Sequence, residues 1–406
     1  MGTSASSPFA APHRAGALLG VVQFLFVTTW TVYVLFLPQL AKQAGIEARW
    51  IVWILMLDQL IFTLMDFALG VAADRVGRAF GKLGRWIALV TVVSCAAFLS
   101  LPFIAPMGSP VALAALMIVW SLTSSALRAP PMVLLGKYAP APQVPWLASL
   151  ALFGLGAAGA FAPYLTVALR DVDPRLPFAA ASISLALATV ALSYAERVLG
   201  DAKPHVPARV ASPQPRIHAG MFLACALMLG LGFQVHSGLN SAPAYLRFAK
   251  PADLEWLMPI YWVGFNLILL PAGWLLPRVQ GLRLIAVAGI AGCVALAGAA
   301  SAGGLASLIA AQLAAGAAWG CIMLSAVSAS LEFGRSGREG RITGAFFSLM
   351  SLAAFTRIAF VAAQLNKNPD YAGLLQWLPA SAWGIAAVAL LFFLARAWGG
   401  RAPAEA

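Results

Sequence analysis

The chain has 406 residues, of which 61% are hydrophobic and only 10% are charged. Soluble domains carry about 25% charged residues, so a water-soluble core is excluded and the bilayer must be the solvent for most of this chain. The formal net charge of +12 does not indicate nucleic-acid binding, because the basic residues are scattered through short loops between apolar segments.

Twelve apolar segments are long enough to cross a bilayer as helices, at about 1.5 Å of rise per residue. We number them as spans 1 to 12, and they predict an all-α membrane protein. In order, they cover residues 15–39, 50–73, 84–105, 110–136, 143–169, 176–197, 218–243, 255–277, 282–302, 305–330, 341–364 and 374–396.

The segment between spans 6 and 7 is the longest polar connection and contains four prolines. It predicts a linker between two bundles of six helices. The residues before span 1 lack the features of a cleavable signal. We therefore expect a cytoplasmic tail, a six-helix bundle, a cytoplasmic linker, a second six-helix bundle and a second cytoplasmic tail, at residues 1–14, 15–199, 200–217, 218–397 and 398–406.

The distribution of Lys and Arg predicts the orientation. With the N-terminus inside, seventeen of the 26 basic residues lie in inner segments, seven lie in outer loops and two lie inside spans. This excess places both termini in the cytoplasm of a multi-pass protein of a bacterial-type cytoplasmic (inner) membrane. The four cysteines fall inside apolar segments, where we interpret them as packing residues rather than disulfides or metal ligands.

A Gly-x-x-x-Asp-Arg-x-Gly-Arg run, Gly70 to Arg78, ends span 2. It resembles the signature between helices 2 and 3 of the major facilitator superfamily, and Gly273 to Arg278 repeats it weakly at the end of span 8. The resemblance implies a twelve-helix fold of two pseudo-symmetric bundles, with Asp74 beside the start of helix 11. A conformational latch would then comprise Gly70, Asp74, Arg75, Arg78 and Arg341. The alternative is that Asp74 is a solvated loop charge.

Four charged residues lie deep inside spans, where each needs a physical reason. Asp66 and Arg128 are both about 12–13 Å from the cytoplasmic ends of spans 2 and 4, so we expect them to pair. Asp58 and Arg357 both lie about 24 Å from the cytoplasmic ends of spans 2 and 11. They either pair across the two bundles or find local partners. A buried carboxylate with one movable cation suits a proton carrier, so we assign proton coupling to these four residues, with Asp66 as the main site. The alternative is a structural ion pair.

Span 2 and its loop are similar to those of the glycoside–pentoside–hexuronide cation symporters, and Arg128 to Lys137 is similar to a stretch of the sucrose–proton symporter branch. The similarity in span 2 rests on Asp58, on Asp66 to Gly70, on Asp74-Arg75 and on Gly81 to Trp86. This resemblance implies a secondary transporter of a sugar or glycoside. It also implies protons rather than sodium, because one midplane carboxylate does not supply several hard oxygen ligands.

Polar and aromatic side chains on the spans are candidates for solute binding. They are Gln23, Trp30, Tyr33, Gln59, Arg128, Gln234, His236, Asn240, Tyr261 and Asn266. They suit a polyol or glycoside, but would also fit a small organic acid bound by Arg128, or an amphipathic drug. Gln59 lies with Thr63, Asp66 and Gly70 on one face of span 2 and has a structural alternative, the satisfaction of backbone groups. His236 has a similar alternative as a satisfied polar residue.

The chain lacks the motifs of membrane-embedded enzymes, such as His-x-x-x-His or Gly-x-Ser-x-Gly, and it lacks a Walker motif. We therefore expect a monomeric transporter rather than an enzyme. Its partners would be a small solute and the lipid bilayer, without nucleic acid, metal or cofactor, and the proton gradient would supply the energy. A lipid flippase of the same fold remains the alternative that needs no proton carrier.

Overall fold

The computed structural model describes residues 10–79, 83–139, 141–201, 219–335 and 337–399. Eleven of its helices are long and apolar enough to cross a membrane. A twelfth helix, Arg175–Asp201, has a shorter apolar part, Arg175–Ala191, within the described residues. The predicted fold class, an all-α membrane protein of twelve spans, is confirmed. The predicted tails and linker lie largely outside the described residues.

The first six spans contain seven α-helices, because span 4 is broken near its middle. Their bounds are Ala10–Gln43, Ile51–Ala79, Leu83–Ile104, Pro110–Ser124 followed by Ala129–Tyr138, Val144–Ala168 and Arg175–Asp201. Ser109 begins span 4 because its side chain accepts a hydrogen bond from the Ala112 N–H, and Pro110 occupies a first-turn position whose missing N–H does no harm.

The last six spans contain two further interruptions. Their helices are Ala219–Val235 and Ser241–Leu246 on either side of a π-helical turn at His236–Asn240, then Leu254–Leu257 and Pro259–Leu275, Gly281–Ala300, Leu305–Gly334, Glu339–Ala362 and Ala372–Gly399. Large apolar side chains remain exposed on the outer faces of the bundle, among them Leu89, Leu187 and Val294. A bilayer would cover these faces.

Spans 2 and 11, together with spans 5 and 8, form the main contacts between the first six and the last six spans. We call the side of the bundle where span 1 begins the termini side, and the other the opposite side. The contacts on the termini side are close. A Cβ added to Gly136 would lie 2.9 Å from Leu331 Cδ2, and one added to Gly273 would lie 2.8 Å from Ser149 Oγ.

The two sides of the bundle differ in how tightly they are closed. The termini-side segment of span 4, Ala129–Tyr138, packs against spans 10 and 11, whereas the opposite-side segment, Pro110–Ser124, is not among their packed neighbours. Spans 1 and 7 also do not pack extensively on each other. Spans 5 and 8 remain in contact on the opposite side through Leu254–Leu257. The first six and the last six spans are therefore packed together at more places on the termini side than on the opposite side.

Candidate functional site

The break in span 4 positions the first member of the site. Pro130 and Pro131 have no N–H to donate, so the helical ladder stops and a 3-10 turn forms at Ser125–Leu127. The carbonyl of Leu127 loses the donor that residue 131 would supply, and the buried side chain of Gln23 replaces it with a 2.7 Å hydrogen bond. Arg128 follows directly at φ −98°, ψ −79°, at the junction of the two helices.

Asp66, Arg128 and Ser351 form one connected cluster, which we call the charged cluster. Arg128 Nη1 lies 2.9 Å from Asp66 Oδ2, and the same nitrogen donates to Ser351 Oγ at 2.5 Å. Ser351 Oγ in turn donates to Asp66 Oδ2 at 3.1 Å. The pair expected from helical depth is therefore present, and it includes a hydroxyl from the last six spans.

The surroundings of the charged cluster are buried at Asp66 and aromatic at Arg128. The Asp66 side chain is fully buried, whereas that of Arg128 is 19% exposed. The guanidinium of Arg128 lies over the rings of Phe62 and Phe347, at 5.5 and 5.8 Å from their centroids. Asp66 Oδ1 is buried and has no hydrogen-bond partner among the described residues. The geometric hydrogen bonds thus reach only one of its two oxygens, while the buried hydroxyl of Ser125, also unpartnered in the described part, lies close enough to interact with the carboxylate.

The polar face predicted on span 2 is the face turned to span 11. Ser348 Oγ donates to the Thr63 carbonyl oxygen, and a Cβ on Gly344 would lie 2.5 Å from the Asp66 carbonyl oxygen. The hydroxyl of Thr63 itself bonds to the Gln59 carbonyl, so this residue satisfies the backbone as the structural alternative expected. Close packing of small residues therefore brings Ser351 within reach of the Asp66 carboxylate.

The latch expected at Asp74 has a defined geometry. Its carboxylate accepts hydrogen bonds from the backbone N–H groups of Gly340 at 2.7 Å and Arg341 at 2.8 Å, in the first turn of span 11. These groups have no partner within the helix, and the helix dipole favours a negative charge there. Asp74 is buried, unlike a solvated loop charge, whereas Arg75 is exposed. The side chain of Arg78 lies outside the described part.

Gly70 completes this contact. A Cβ on Gly70 would overlap the Gly340 carbonyl oxygen, and a Cβ on Gly340 would overlap the Gly70 carbonyl oxygen. The two backbones therefore touch at a distance that only glycine permits on both spans. The predicted latch thus coincides with a contact between two backbones, to which one carboxylate is hydrogen-bonded.

Asp58 lies in a separate polar cluster within the first six spans. Its Oδ2 accepts a 2.8 Å hydrogen bond from the Tyr33 hydroxyl, and its Oδ1 accepts a 2.6 Å bond from the Ser121 hydroxyl. Asp58 is 3% exposed. The rings of Trp30 and Trp120 stack beside it at 5.9 Å. Both carboxylate oxygens are thus satisfied by hydroxyl groups.

Arg357 does not pair with Asp58 in this conformation. Its Nε donates to Gln234 Oε1 of span 7 at 3.1 Å. Of the two arrangements considered from the sequence, the structure therefore shows the local one. Hydroxyl groups of spans 1 and 4 hydrogen-bond the Asp58 side chain within the first six spans, and Gln234 holds Arg357 against span 7.

Several side chains proposed for solute binding are already engaged within the protein. Gln23 bonds to Leu127 as described, Tyr33 is buried on Asp58, and Asn240 Nδ2 donates to the Leu375 carbonyl at 2.7 Å. These three bonds hold helices together. Trp30 remains partly exposed, and Gln59 is nearly buried.

The remaining candidates lie in the last six spans. His236 Nε2 is 2.7 Å from Gln312 Oε1, whose amide nitrogen is 3.3 Å from Ser241 Oγ, so His236 is a satisfied buried residue. The Tyr261 hydroxyl and Asn266 Oδ1 are buried without a partner among the described residues. A Cβ on Gly156 of span 5 would lie 2.6 Å from Asn266 Oδ1, so Asn266 borders the contact between the two groups of spans.

Sequence reasoning missed Ser351, Ser121 and Gln312, the uncharged partners of the ionisable residues. One signal was available for Ser351. Gly340, Gly344, Ser348 and Ser351 recur at helical spacing and form a stripe of small residues along span 11. That stripe faces the polar face of span 2.

Comparisons with known proteins agree with this architecture. The sequence profile described as Major Facilitator Superfamily matches residues 19–356. The human organic anion transporter MFSD10 (TETRAN) superimposes with a TM-score of 0.68 at 13% identity, over 94% of this chain and 99% of that one.

The fucose:proton symporter FucP of E. coli, as its N162A variant, has a TM-score of 0.62 at 14% identity, over 93% of this chain and 98% of that one. A FucP structure in the outward conformation has the same TM-score at 15% identity and the same coverage. No curated protein matches the sequence significantly. The profile match covers most of the chain, and the chain belongs to the Major Facilitator Superfamily.

Proposed function

We propose that the chain is a proton-coupled secondary transporter that moves a small polar solute across the cytoplasmic membrane by alternating access. The observation that carries this proposal is the charged cluster. It joins a buried carboxylate and a guanidinium of the first six spans to a hydroxyl of the last six. A proton at Asp66 therefore acts on a bond between the two moving parts.

The coupling follows from the hydrogen bonds at Asp66. When ionised, the carboxylate accepts from both Arg128 and Ser351. A proton removes the negative charge, so the attraction of Arg128 weakens and its guanidinium is released toward the solute path. The less tightly packed opposite side would admit the proton and the solute, and rocking of the six-helix bundles 15–199 and 218–397 would expose them to the termini side.

The orientation of this cycle rests on the distribution of basic residues, which favours cytoplasmic termini. The termini side would then face the cytoplasm and the opposite side the exterior. Asp74 would stabilise the outward-open form, because its bonds to Gly340 and Arg341 exist only while spans 2 and 11 are in contact there. The energy source would be the proton gradient, and the working unit would be a monomer in the bilayer.

The class of solute is a separate question from coupling. The sugar or glycoside interpretation is weakened, because Gln23, Tyr33 and Asn240 are occupied by bonds within the protein. An organic acid fits the same fold, and MFSD10, one of the structural neighbours, is described as an organic anion transporter. A flippase would not need the carboxylate–guanidinium pair at the midplane, so this pair favours a proton-coupled solute transporter.

The test is proton movement driven by a solute. Purified protein is reconstituted into liposomes with a pH-sensitive dye inside, and sugars, organic acids and amphipathic drugs are added one at a time. A solute that is co-transported acidifies the lumen, and a protonophore abolishes the concentrative uptake of that solute. Asp66→Asn should lose proton movement and uphill uptake but keep solute exchange. The surface variant Asp171→Asn is the matched control. Unchanged concentrative uptake in Asp66→Asn would refute the proposal.

A further inference from the structure

Of the four charged residues deep inside spans, Arg357 has the fewest polar partners in the described structure. Asp66 and Arg128 compensate each other, and both oxygens of Asp58 accept hydroxyl bonds. Arg357 instead has a single hydrogen bond among the described residues, from Nε to Gln234 Oε1. No described carboxylate lies within ion-pair distance of its guanidinium. Both of its terminal nitrogens therefore keep donors for a ligand.

Span 7 is shaped around this side chain. The π-helical turn His236–Asn240 interrupts the span directly beside Arg357, and such turns are frequent at functional sites. A Cβ on Gly238, inside this turn, would lie 2.5 Å from Arg357 Cδ and 2.9 Å from Nη1. Glycine at this position thus gives the guanidinium its place, while Gln234, one turn earlier, fixes its orientation through Nε.

The position of Arg357 also makes it reachable. It is partly exposed and lies in the last two turns of span 11, toward the opposite side, where spans 1 and 7 are not packed together. Arginine within a membrane span faces the protein interior or a water-filled cavity, because exposure to lipid is costly. An approaching solute would meet Arg357 before it reached the charged cluster, since Arg128 lies nearer to the midplane.

We propose that Arg357 binds the anionic group of the transported solute, a small organic acid whose carboxylate accepts hydrogen bonds from the two terminal nitrogens. Arginine suits this role because its planar fork matches a carboxylate in two parallel bonds. The anion would compensate the charge that the protein leaves uncompensated. Gln234 leaves that charge intact, since it accepts from Nε as a neutral amide. That the bound anion is a transported solute rests on the proposed transport function, but the binding itself needs neither a gradient nor a proton.

The test is binding to the purified full chain in lipid nanodiscs, measured as the shift in melting temperature without any gradient. The probes are benzoate and succinate, each paired with its neutral amide, benzamide or succinamide. Benzenesulfonate, inorganic phosphate and chloride complete the panel. We expect a carboxylate to stabilise the protein and its amide to have no effect. A stabilisation by chloride or phosphate equal to that by the carboxylates would overturn the proposal, because it would show a general anion site. No stabilisation by any anion would also overturn it.

Four variants locate the site. Arg357→Gln should weaken carboxylate binding about tenfold or more, the loss expected for a charged hydrogen bond. Gln234→Glu should have a similar effect while it keeps the arginine, because an internal carboxylate would occupy the guanidinium. Gly238→Ala should displace the side chain and weaken binding, whereas Gly220→Ala in the same span should not, since a Cβ there meets nothing within 4 Å. Carboxylate binding that survives in both Arg357→Gln and Gln234→Glu refutes the proposal.

The two proposals fail in different ways. If carboxylates bind through Arg357 but their transport moves no protons, the coupling role of Asp66 is wrong and the anion site stands. If instead a neutral solute drives protons into liposomes at an unchanged rate in Arg357→Gln, the transporter stands and the anion site is wrong.

Discussion

The carboxylate of Asp74 in span 2 accepts a 2.7 Å hydrogen bond from the backbone N–H of Gly340, at the start of span 11. This bond crosses between the first six and the last six spans, together with the bond from the Arg341 N–H and the close packing of small and apolar residues on the termini side. A charge placed at a helix N-terminus stabilises this contact, which the proposed alternating access would have to open.

Asp74→Asn is expected to shift the protein toward the form that is open on the termini side. The amide oxygen still accepts one hydrogen bond, but the charge that interacts with the helix N-terminus is lost, which amounts to about 1–2 kcal/mol. Distance distributions between spin labels at the termini-side ends of spans 2 and 11 measure the shift. Asp171→Asn removes a charge from the exposed opposite side and controls for net charge. Identical distributions in Asp74→Asn and the parent would contradict the prediction.

Gly340→Ala should open the same contact by a different route. Its Cβ would overlap the Gly70 carbonyl oxygen, so the two backbones must separate. We expect longer label distances on the termini side and at least a severalfold loss of transport. Gly373→Ala is the control, because a Cβ there meets nothing within 4 Å. If Gly340→Ala keeps parental distances and transport, the close contact is not required.

Ser351→Ala should weaken the link between the proton site and the last six spans. Asp66 would keep its ion pair but lose a hydrogen bond, worth about 0.5–1.5 kcal/mol net, or more because it is accepted by a charged group. We expect slower proton-driven uptake and less proton movement per solute, with solute exchange retained. Uptake in the parent should fall as the external pH rises, because the cycle requires a protonated Asp66.

Ser348→Ala is the matched control for Ser351→Ala. Ser348 also joins spans 11 and 2, but it donates to the Thr63 backbone carbonyl rather than to the carboxylate. Ser351→Ala removes two bonds to the first six spans, one from Arg128 and one to Asp66, and Ser348→Ala removes one. A general loosening would therefore affect both variants, whereas only Ser351→Ala changes the carboxylate itself. Equal effects on proton coupling would argue against a specific role for Ser351.

Gln23→Leu should destabilise the break in span 4. It leaves the buried carbonyl of Leu127 without a partner, at a cost of about 1–3 kcal/mol. Pro131→Ala restores an N–H four residues after Leu127, so the cost of Gln23→Leu should be smaller in that background. Melting temperatures of the four proteins in this double-mutant cycle measure the coupling. Strictly additive shifts would mean that Gln23 does not replace the missing helical donor.

The charge swap Asp58→Arg with Arg357→Asp tests whether the two residues ever pair. Each has a local partner in this structure, Tyr33 and Ser121 for Asp58 and Gln234 for Arg357. We therefore expect the losses of transport in the two single variants to add in the double variant. Partial recovery in the swap would instead reveal an ion pair in a conformation closed on the opposite side.

The sequence was sufficient for the depth of a residue in the bilayer, because the rise along its own helix determines that depth. A regular rise places Asp66 and Arg128 at the same depth, and the pair forms at 2.9 Å. The same count places Asp58 and Arg357 at equal height, but height does not give direction. Their partners are determined by the rotation and packing of spans 1, 4 and 7, which no periodicity within span 2 or span 11 specifies.

Two of the solute-binding candidates illustrate a related point. Gln23 and Asn240 look like free polar groups on apolar spans, yet each bonds to a carbonyl on another span. The need of Leu127 for a donor follows from the two prolines after Arg128. Which side chain supplies it depends on the packing of span 1 against span 4. The π-helical turn beside Arg357 likewise has no signature in the sequence that we can identify.

The interruption of span 4 divides it into two separate helices, an opposite-side part, Pro110–Ser124, and a termini-side part, Ala129–Tyr138. A continuous helix is one rigid rod, whereas the 3-10 turn at Ser125–Leu127 and the two prolines after it break the hydrogen-bond ladder between the two parts. The opposite-side part carries Ser121, which is hydrogen-bonded to Asp58. The termini-side part carries Gly136, which packs on Leu331 of span 10. Arg128 lies at the junction of the two parts. In the proposed cycle, loss of its ion pair would free the termini-side part of span 4 and open that side, while the opposite-side part stays bonded to Asp58.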